Sequence, residues 1–237
     1  MTKRKNFPGF KGHLFPPAII EYAVWLYFRF SLSLRDVEDL LSERGIIVSH
    51  ETIRFWVVKF GRQYAKSIRR DRHQVGDKWH LDEVVISIRG KKHWLWRAVD
   101  QRGHSLEILV QSRRNTKAAK RFMRKLMKQY GMPRVIITDK LRSYGAAKRD
   151  LAPGLEHRSH KGLNNAAEVS HKPTRRRERV MGRFKSPRHA QQFLSAHDQI
   201  NVLFRPRRHQ LSAVSYRRAR SDAFAVWHDI TCEIAFG

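Results

Sequence analysis

The chain has 237 residues, 41% of them hydrophobic, which is enough for a globular core and for more than one domain. Its formal net charge of +28 and pI near 11.2 point to a polyanionic partner, nucleic acid before an anionic membrane. No apolar run approaches the roughly 18 residues of a membrane span, no signal-peptide core opens the chain, and the single cysteine, Cys232, excludes an internal disulfide or a multi-cysteine zinc site, so an intracellular protein is expected.

Residues 1–16 carry Lys, Gly and Pro and read as an arm. Three helices are expected next. The first has Pro17 in its first turn, with Ile20, Ala23, Val24 and Tyr27 on one face at i, i+3, i+4, i+7. The second starts at Ser33, an N-cap with Asp36 three residues on, and stops at Gly45. The third starts near Ser49, with Ile53, Trp56, Val57, Phe60 and Tyr64 as its apolar stripe. Its other side offers Thr52, Arg54, Phe55, Lys59, Arg62 and Lys66. Three short helices with a basic third one predict a helix-turn-helix domain over 1–68, its third helix in the DNA major groove. Thr52, Arg54, Lys59 and Arg62 are its candidate DNA contacts.

Residues 69–77 lack apolar periodicity and read as a linker. From Trp79 the pattern turns to α/β. A β-branched run, Trp79 to Ile88, is followed by a turn at Gly90-Lys91 and a strand from His93 to Asp100. A turn at 101–103 leads to a third strand, Ser105 to Val110. Asn115 caps a helix with Ala118, Phe122, Leu126 and Met127 inward, ending at Gly131. Pro133 opens a short buried strand that closes on Asp139, a helix covers roughly 141–149, and a strand runs through 155–157. The order βββ-α-β-α-β-α is that of the ribonuclease-H fold, the core of retroviral integrases. It sets the first strand beside the fourth, so Asp82 and Asp139 are expected as neighbours.

The domain expected over 78–185 is therefore α/β and ribonuclease-H-like. The region 186–237 is expected to be a basic helical extension. Pro187 starts a helix after Ser186, the Arg205–Arg208 stretch breaks it, and Ser212 caps a last helix with Tyr216, Phe224 and Trp227. Between His171 and Arg220 fourteen Lys and Arg stand against two acids, a density that suits tracking a phosphate backbone.

Three carboxylates carry the chemistry. Asp82 interrupts a strand, where Asp is unfavourable by propensity. Asp139 ends a strand, where open α/β sheets place ligands. Glu168 lies just inside an expected helix. Two Asp on adjacent strands and a Glu on a facing helix would hold a pair of hard divalent ions, Mg2+ with Mn2+ able to substitute, that activate an attacking oxygen and stabilise a leaving oxygen on one phosphate. Strand alternation turns the neighbouring Glu83 to the opposite face. Glu178, set among arginines, competes with Glu168 for the third place but reads better as a local ion-pair partner. Trp79, Trp94 and Trp96 read as packing, Asp100 as a hairpin-end residue, and His80 shares the face of Asp82.

The ordered set Trp79-His80-x-Asp82-Glu83, Arg97-Ala98-Val99-Asp100, Thr138-Asp139-Lys140 and Asn164-Asn165-x-x-Glu168-x-x-His171-x-x-x-Arg175 resembles the bacterial insertion-sequence DDE transposases. More narrowly it resembles insertion sequence family six, whose members form cointegrates by replicative transposition. The resemblance spans nearly the whole chain. It implies that Asp82, Asp139 and Glu168 bind the metals and that Arg175, with His171 and Lys140 nearby, contacts DNA. It further implies double-stranded DNA as partner (terminal inverted repeats and target), a homodimer or larger synaptic complex, and a nucleoid-associated cytoplasmic location. The spacing from Asp139 to Glu168 is shorter than the family's, and the shortfall falls around Ala152-Pro153-Gly154, in a loop where deletion is tolerated. The alternative is a non-catalytic helix-turn-helix protein, or an inactive transposase that only binds ends.

Overall fold

The computed structural model describes residues 13–71, 75–160, 164, 167, 170–181, 184–206 and 211–236. The arm expected over 1–16 lies largely outside them. The chain divides into two compact units, residues 1–71 with 196–237, and residues 72–195.

In the first unit, α1 (Pro17–Arg29), α2 (Leu34–Ser42) and α3 (His50–Arg70) form as the periodicity predicts. The Ser33 and Asp36 side chains each accept from the other's backbone N–H, at 3.1 and 2.7 Å, which closes the start of α2. Gly45, at φ 72°, ends the turn after α2, a conformation that a Cβ disfavours. The α1 and α3 stripes are buried as expected.

The last helix, α8 (Ala213–Phe236), belongs to this unit. Trp227 meets Tyr64 edge-on at 4.9 Å between ring centroids, and Phe224 and Phe204 lie 5.5 and 5.9 Å from Trp25. The region from 186 is therefore not a separate extension. Its second half adds apolar cover to Trp25 and Tyr64 of the N-terminal helices. The boundary between units falls inside α7 (Pro187–Leu203).

The second unit is built on a five-stranded sheet of order β3-β2-β1-β4-β5. β1 (Lys78–Ile88), β2 (Lys91–Asp100) and β3 (Ser105–Gln111) form an antiparallel meander. β4 (Val135–Thr138) and β5 (Glu156–Ser159) run parallel to β1. This is the ribonuclease-H-like order. The β1–β2 turn is one residue earlier than read from sequence: Arg89 and Gly90, at φ 50° and 77°, form a two-residue connection with both central φ positive.

Helices α4 (Thr116–Tyr130) and α5 (Arg142–Leu151) cover one face of the sheet. Trp79, Leu81, Trp96 and Ala98 from the strands meet Phe122, Leu126, Tyr144 and Ala147 there. The other face is met by Ser170 and Thr174: the buried Arg97 donates to the Ser170 carbonyl and to Thr174 Oγ1, the latter at 2.7 Å. Gln191, on α7, accepts from Val110 N at 2.8 Å and donates to Ile108 O at 3.2 Å, so it covers the open edge of β3. The buried Trp79 and Trp96 are core residues, as expected.

Asp100 closes the β2–β3 hairpin by accepting from Arg102 N and His104 N, both at 2.9 Å. Burial works against its charge, but hydrogen bonds from the His104 side chain and backbone outweigh it and hold the carboxyl below its usual range. Asp100→Ala should lower unfolding free energy by about 1–3 kcal/mol in a urea titration at pH 7. Because the folded pKa is depressed, this stabilisation is present above the unfolded value near 3.9 and is lost as pH falls through the folded one, so the difference between wild type and variant should shrink below about pH 4.

Candidate metal and phosphate site

The parallel pairing of β1 with β4 sets Leu81 opposite Thr138. The next residues in each strand are Asp82 and Asp139, so two carboxylates leave adjacent strands at the same level. Pairing stops there, and Asp139 stands just beyond the end of β4. Oxygens of Asp82, Glu83 and Asp139 all lie within 4.8 Å of one another.

Glu83 is a correction to the reading by alternation. It does point to the face opposite Asp82, since its cross-strand partner is the core residue Trp96 while that of Asp82 is Arg97. Yet it still reaches the cluster. Asp139, past the last rung of β4, is accessible from both faces of the sheet edge.

Each acid is held by distinct partners. Asp82 Oδ2 lies 3.0 Å from His171 Nε2. Asp139 Oδ1 accepts from Leu141 N at 3.0 Å, and its Oδ2 lies 3.5 Å from the Arg114 guanidinium. The Glu83 side chain has no exposed surface. Its Oε1 accepts from Arg114 Nε at 2.7 Å and pairs with Nη2 at 2.5 Å. Burial, then the charge of Asp139, push the Glu83 carboxyl up to about 7, against the opposing hydrogen bonds of Tyr144 and Arg114. Burial and the Glu83 carboxylate push the Tyr144 hydroxyl well above its usual range in turn.

Glu168 lies outside the described residues. Its described neighbours dock on β1. Asn164, fully buried, donates from Nδ2 to Leu81 O at 2.9 Å, and His171 meets Asp82. Glu178 does not join the acids: its Oε1 accepts from Ser87 N at 2.9 Å, and its Oε2 lies 3.7 Å from Arg175. Its role is to satisfy β1 backbone beyond the end of β4.

Helix α6 (Lys172–Val180) lies over the outer face. Lys172, Arg175 and Arg179 fall at i, i+3 and i+7 and line, with Asp82, Val84 and His171, an open cleft of about 390 Å³. Arg175 and His171 were expected there. Lys172 and Arg179 are additions that the same helical spacing makes legible. On the opposite side of α6, the buried Arg177 stacks over Phe193 at 5.4 Å. Lys140 is exposed, one residue beyond Asp139.

On α3, Arg62 is exposed and Arg54, also exposed, pairs with Glu51 at 2.8 Å. Thr52 Oγ1 bonds with the Ser49 cap at 3.0 Å. Lys59 is half-buried, 2.8 Å from His13 Nε2 and over the Phe60 ring. The four candidates share one helix, but Thr52 and Lys59 are engaged within the fold.

The converging Asp82 and Asp139, with Glu83 held by Arg114 beside them, offer oxygen donors that suit a hard divalent cation and show no nitrogen or sulfur preference. The donor chemistry therefore fits Mg2+ or Mn2+. At about 5 Å and an effective dielectric of about 20, two full like charges repel by roughly 3–4 kcal/mol, so the cluster requires cationic compensation.

A DDE domain family model matches residues 76–207. The chain is 31% identical over 212 residues to a Staphylococcus aureus transposase for the insertion sequence-like element IS431mec, covering 87% of this chain and 93% of that one. It is 30% identical, with the same coverage, to the S. aureus transposase for IS257 in transposon Tn4003. Among solved structures it is similar to the HTLV-2 integrase catalytic core domain in complex with magnesium, with TM-score 0.40 and 11% identity, over 56% of this chain and 88% of that one.

Glu178→Ala should leave Ser87 N without its acceptor and lower stability by about 1–2 kcal/mol. Chemical denaturation followed by tryptophan fluorescence would measure it, and an unchanged midpoint would remove the structural role given to Glu178.

Proposed function

The chain belongs to the insertion-sequence DDE transposases of family six, and on that premise we propose that it binds the terminal inverted repeats of its element, cleaves DNA to free 3′-hydroxyl ends and joins them to target DNA. The observation that carries the reading is the convergence of Asp82, within β1, and Asp139, just past the end of the parallel β4, beside a cationic cleft. Asp82 and Asp139 would hold divalent ions, which would supply positive charge to the reacting phosphate.

The chain's own groups do the rest. Asp82, Asp139 and Glu168 are the proposed metal-holding acids. His171, against Asp82, fixes that carboxylate's orientation from the start of α6. Lys172, Arg175 and Arg179 hold the DNA backbone along the cleft, as point charges and, for the arginines, as two-pronged donors. Lys140, exposed one residue beyond Asp139, adds a further contact to the DNA backbone. The freed 3′-hydroxyl attacks the target phosphodiester directly while the bridging oxygen of that bond leaves with the cut strand. No serine or tyrosine nucleophile is required. Arg54 and Arg62, with Thr52 and Lys59 beside them, make α3 the end-recognition helix, and the protein acts as a homodimer or larger synaptic complex.

Strand transfer of a pre-cut element end into plasmid DNA with Mg2+ tests the site. Asp82→Asn, Asp139→Asn and Glu168→Gln should each abolish joining while end binding persists. Glu178→Gln should retain it. Loss in Glu178→Gln alone would reassign the third acid, and a wild type that binds ends but never joins them would favour the non-catalytic alternative.

Recognition is tested separately. Replacing Arg54 and Arg62 by Ala should weaken end binding and flatten the salt dependence of log K by about 0.9 for each phosphate no longer neutralised. Fluorescence anisotropy across a salt titration reads both quantities, and an unaltered slope would exclude these residues from the interface.

A further inference from the structure

We propose that Arg114 is a positioning residue that holds Asp139 in the geometry needed to bind a divalent cation, with Glu83 and Trp94 as its anchors. The inference rests on the reading that Asp82 and Asp139 hold such an ion. Arg114 itself touches neither the ion nor DNA in this scheme. It acts through Asp139.

The need arises from the end of β4. Strand pairing fixes Thr138 against Leu81 and goes no further, so no ladder bond sets the direction of the Asp139 side chain. Leu141 N takes Oδ1, which leaves Oδ2 to be oriented by something else. Among the described residues, the Arg114 guanidinium is the cation beside it, at 3.5 Å.

Arg114 is itself placed firmly. It immediately precedes Asn115, whose side chain accepts from Ala118 N at 3.0 Å and fixes the start of α4. Its guanidinium lies 4.9 Å from the centroid of the Trp94 ring. Two of its nitrogens engage Glu83 Oε1, at 2.7 and 2.5 Å. Glu83 sits on the helix-covered face with no exposed surface, so it holds the partly exposed guanidinium from the buried side. The guanidinium therefore bridges two carboxylates from the face opposite the cleft. It leaves the Asp82 side of Asp139 open to an incoming ion.

A fixed cation so close to a metal site has two possible consequences of opposite sign. If its charge merely competes with the ion, removing it tightens metal binding. If it positions Asp139, removing it weakens metal binding. The bridging geometry favours the second, because a guanidinium restrained by Glu83 and Trp94 cannot follow Asp139 toward the ion.

The test is Mn2+ binding to the full-length protein without DNA, read from the electron paramagnetic resonance signal of free Mn2+. Arg114→Ala should raise the dissociation constant roughly tenfold to a hundredfold. Glu83→Gln should do the same, and the double variant should be little worse than either alone, since both remove one device. Arg114→Lys keeps the charge but cannot engage both carboxylates as a fork, so it should fall between wild type and Arg114→Ala. That variant decides the matter if Arg114→Ala does not fold: wild-type affinity in Arg114→Lys would overturn the proposal. Unchanged or tighter Mn2+ binding in a folded Arg114→Ala would overturn it too. Asp139→Asn separates the two levels. Lost Mn2+ binding there with normal binding in Arg114→Ala removes only the positioning role. Equal binding in wild type and Asp139→Asn removes the metal reading itself.

Discussion

The rung that pairs Leu81 with Thr138 governs the sheet-containing unit. Parallel strands carry their side chains in step, so the two residues that follow this rung must emerge together. Asp82 and Asp139 are those residues. Because β4 stops there, Asp139 is not confined to one face, and Glu83 on the far face of β1 reaches it as well. One further rung would confine Asp139 to the face of Asp82 and take it away from Glu83.

Such a convergence of charge has to be compensated, and the surrounding cations are divided by face. On the helix-covered side, Arg114 neutralises Glu83 within the fold and borders Asp139. On the cleft side, His171 meets Asp82, and Lys172, Arg175 and Arg179 leave their charges exposed. The inner cation is locked by an aromatic ring and a buried carboxylate. The outer ones are long side chains on one helix face, open to a phosphate backbone. The fold thus separates a cation paired with carboxylates from cations left exposed on the cleft side. Arg97 keeps the helix in place from below, through the Ser170 carbonyl and Thr174.

Much of this was legible along the chain. Local rules were sufficient for the helix starts at Ser33, Ser49, Asn115 and Ser186, since each cap is made with a residue three positions on. Alternation and element order were sufficient for the sheet and for the meeting of Asp82 with Asp139. Alternation failed for Glu83 because it tells which face a side chain leaves, not how far an unpaired strand end is open to both faces. Arg114 carried no signal at all. It lies in a loop between β3 and α4 and gains its role from Glu83, thirty-one residues earlier in the chain.

Sequence by itself determined the helices, the strand order and the meeting of Asp82 with Asp139, because periodicity, capping and pairing are short-range or follow from order alone. Tertiary structure decided the rest. It gave Glu178 to the backbone of Ser87 and tied Lys59 to His13. It folded α8 back onto Tyr64 and Trp25 rather than leaving it as a separate extension. Each of those outcomes depends on which distant surface still lacks a partner once the local elements have formed, and that is a property of packing in three dimensions.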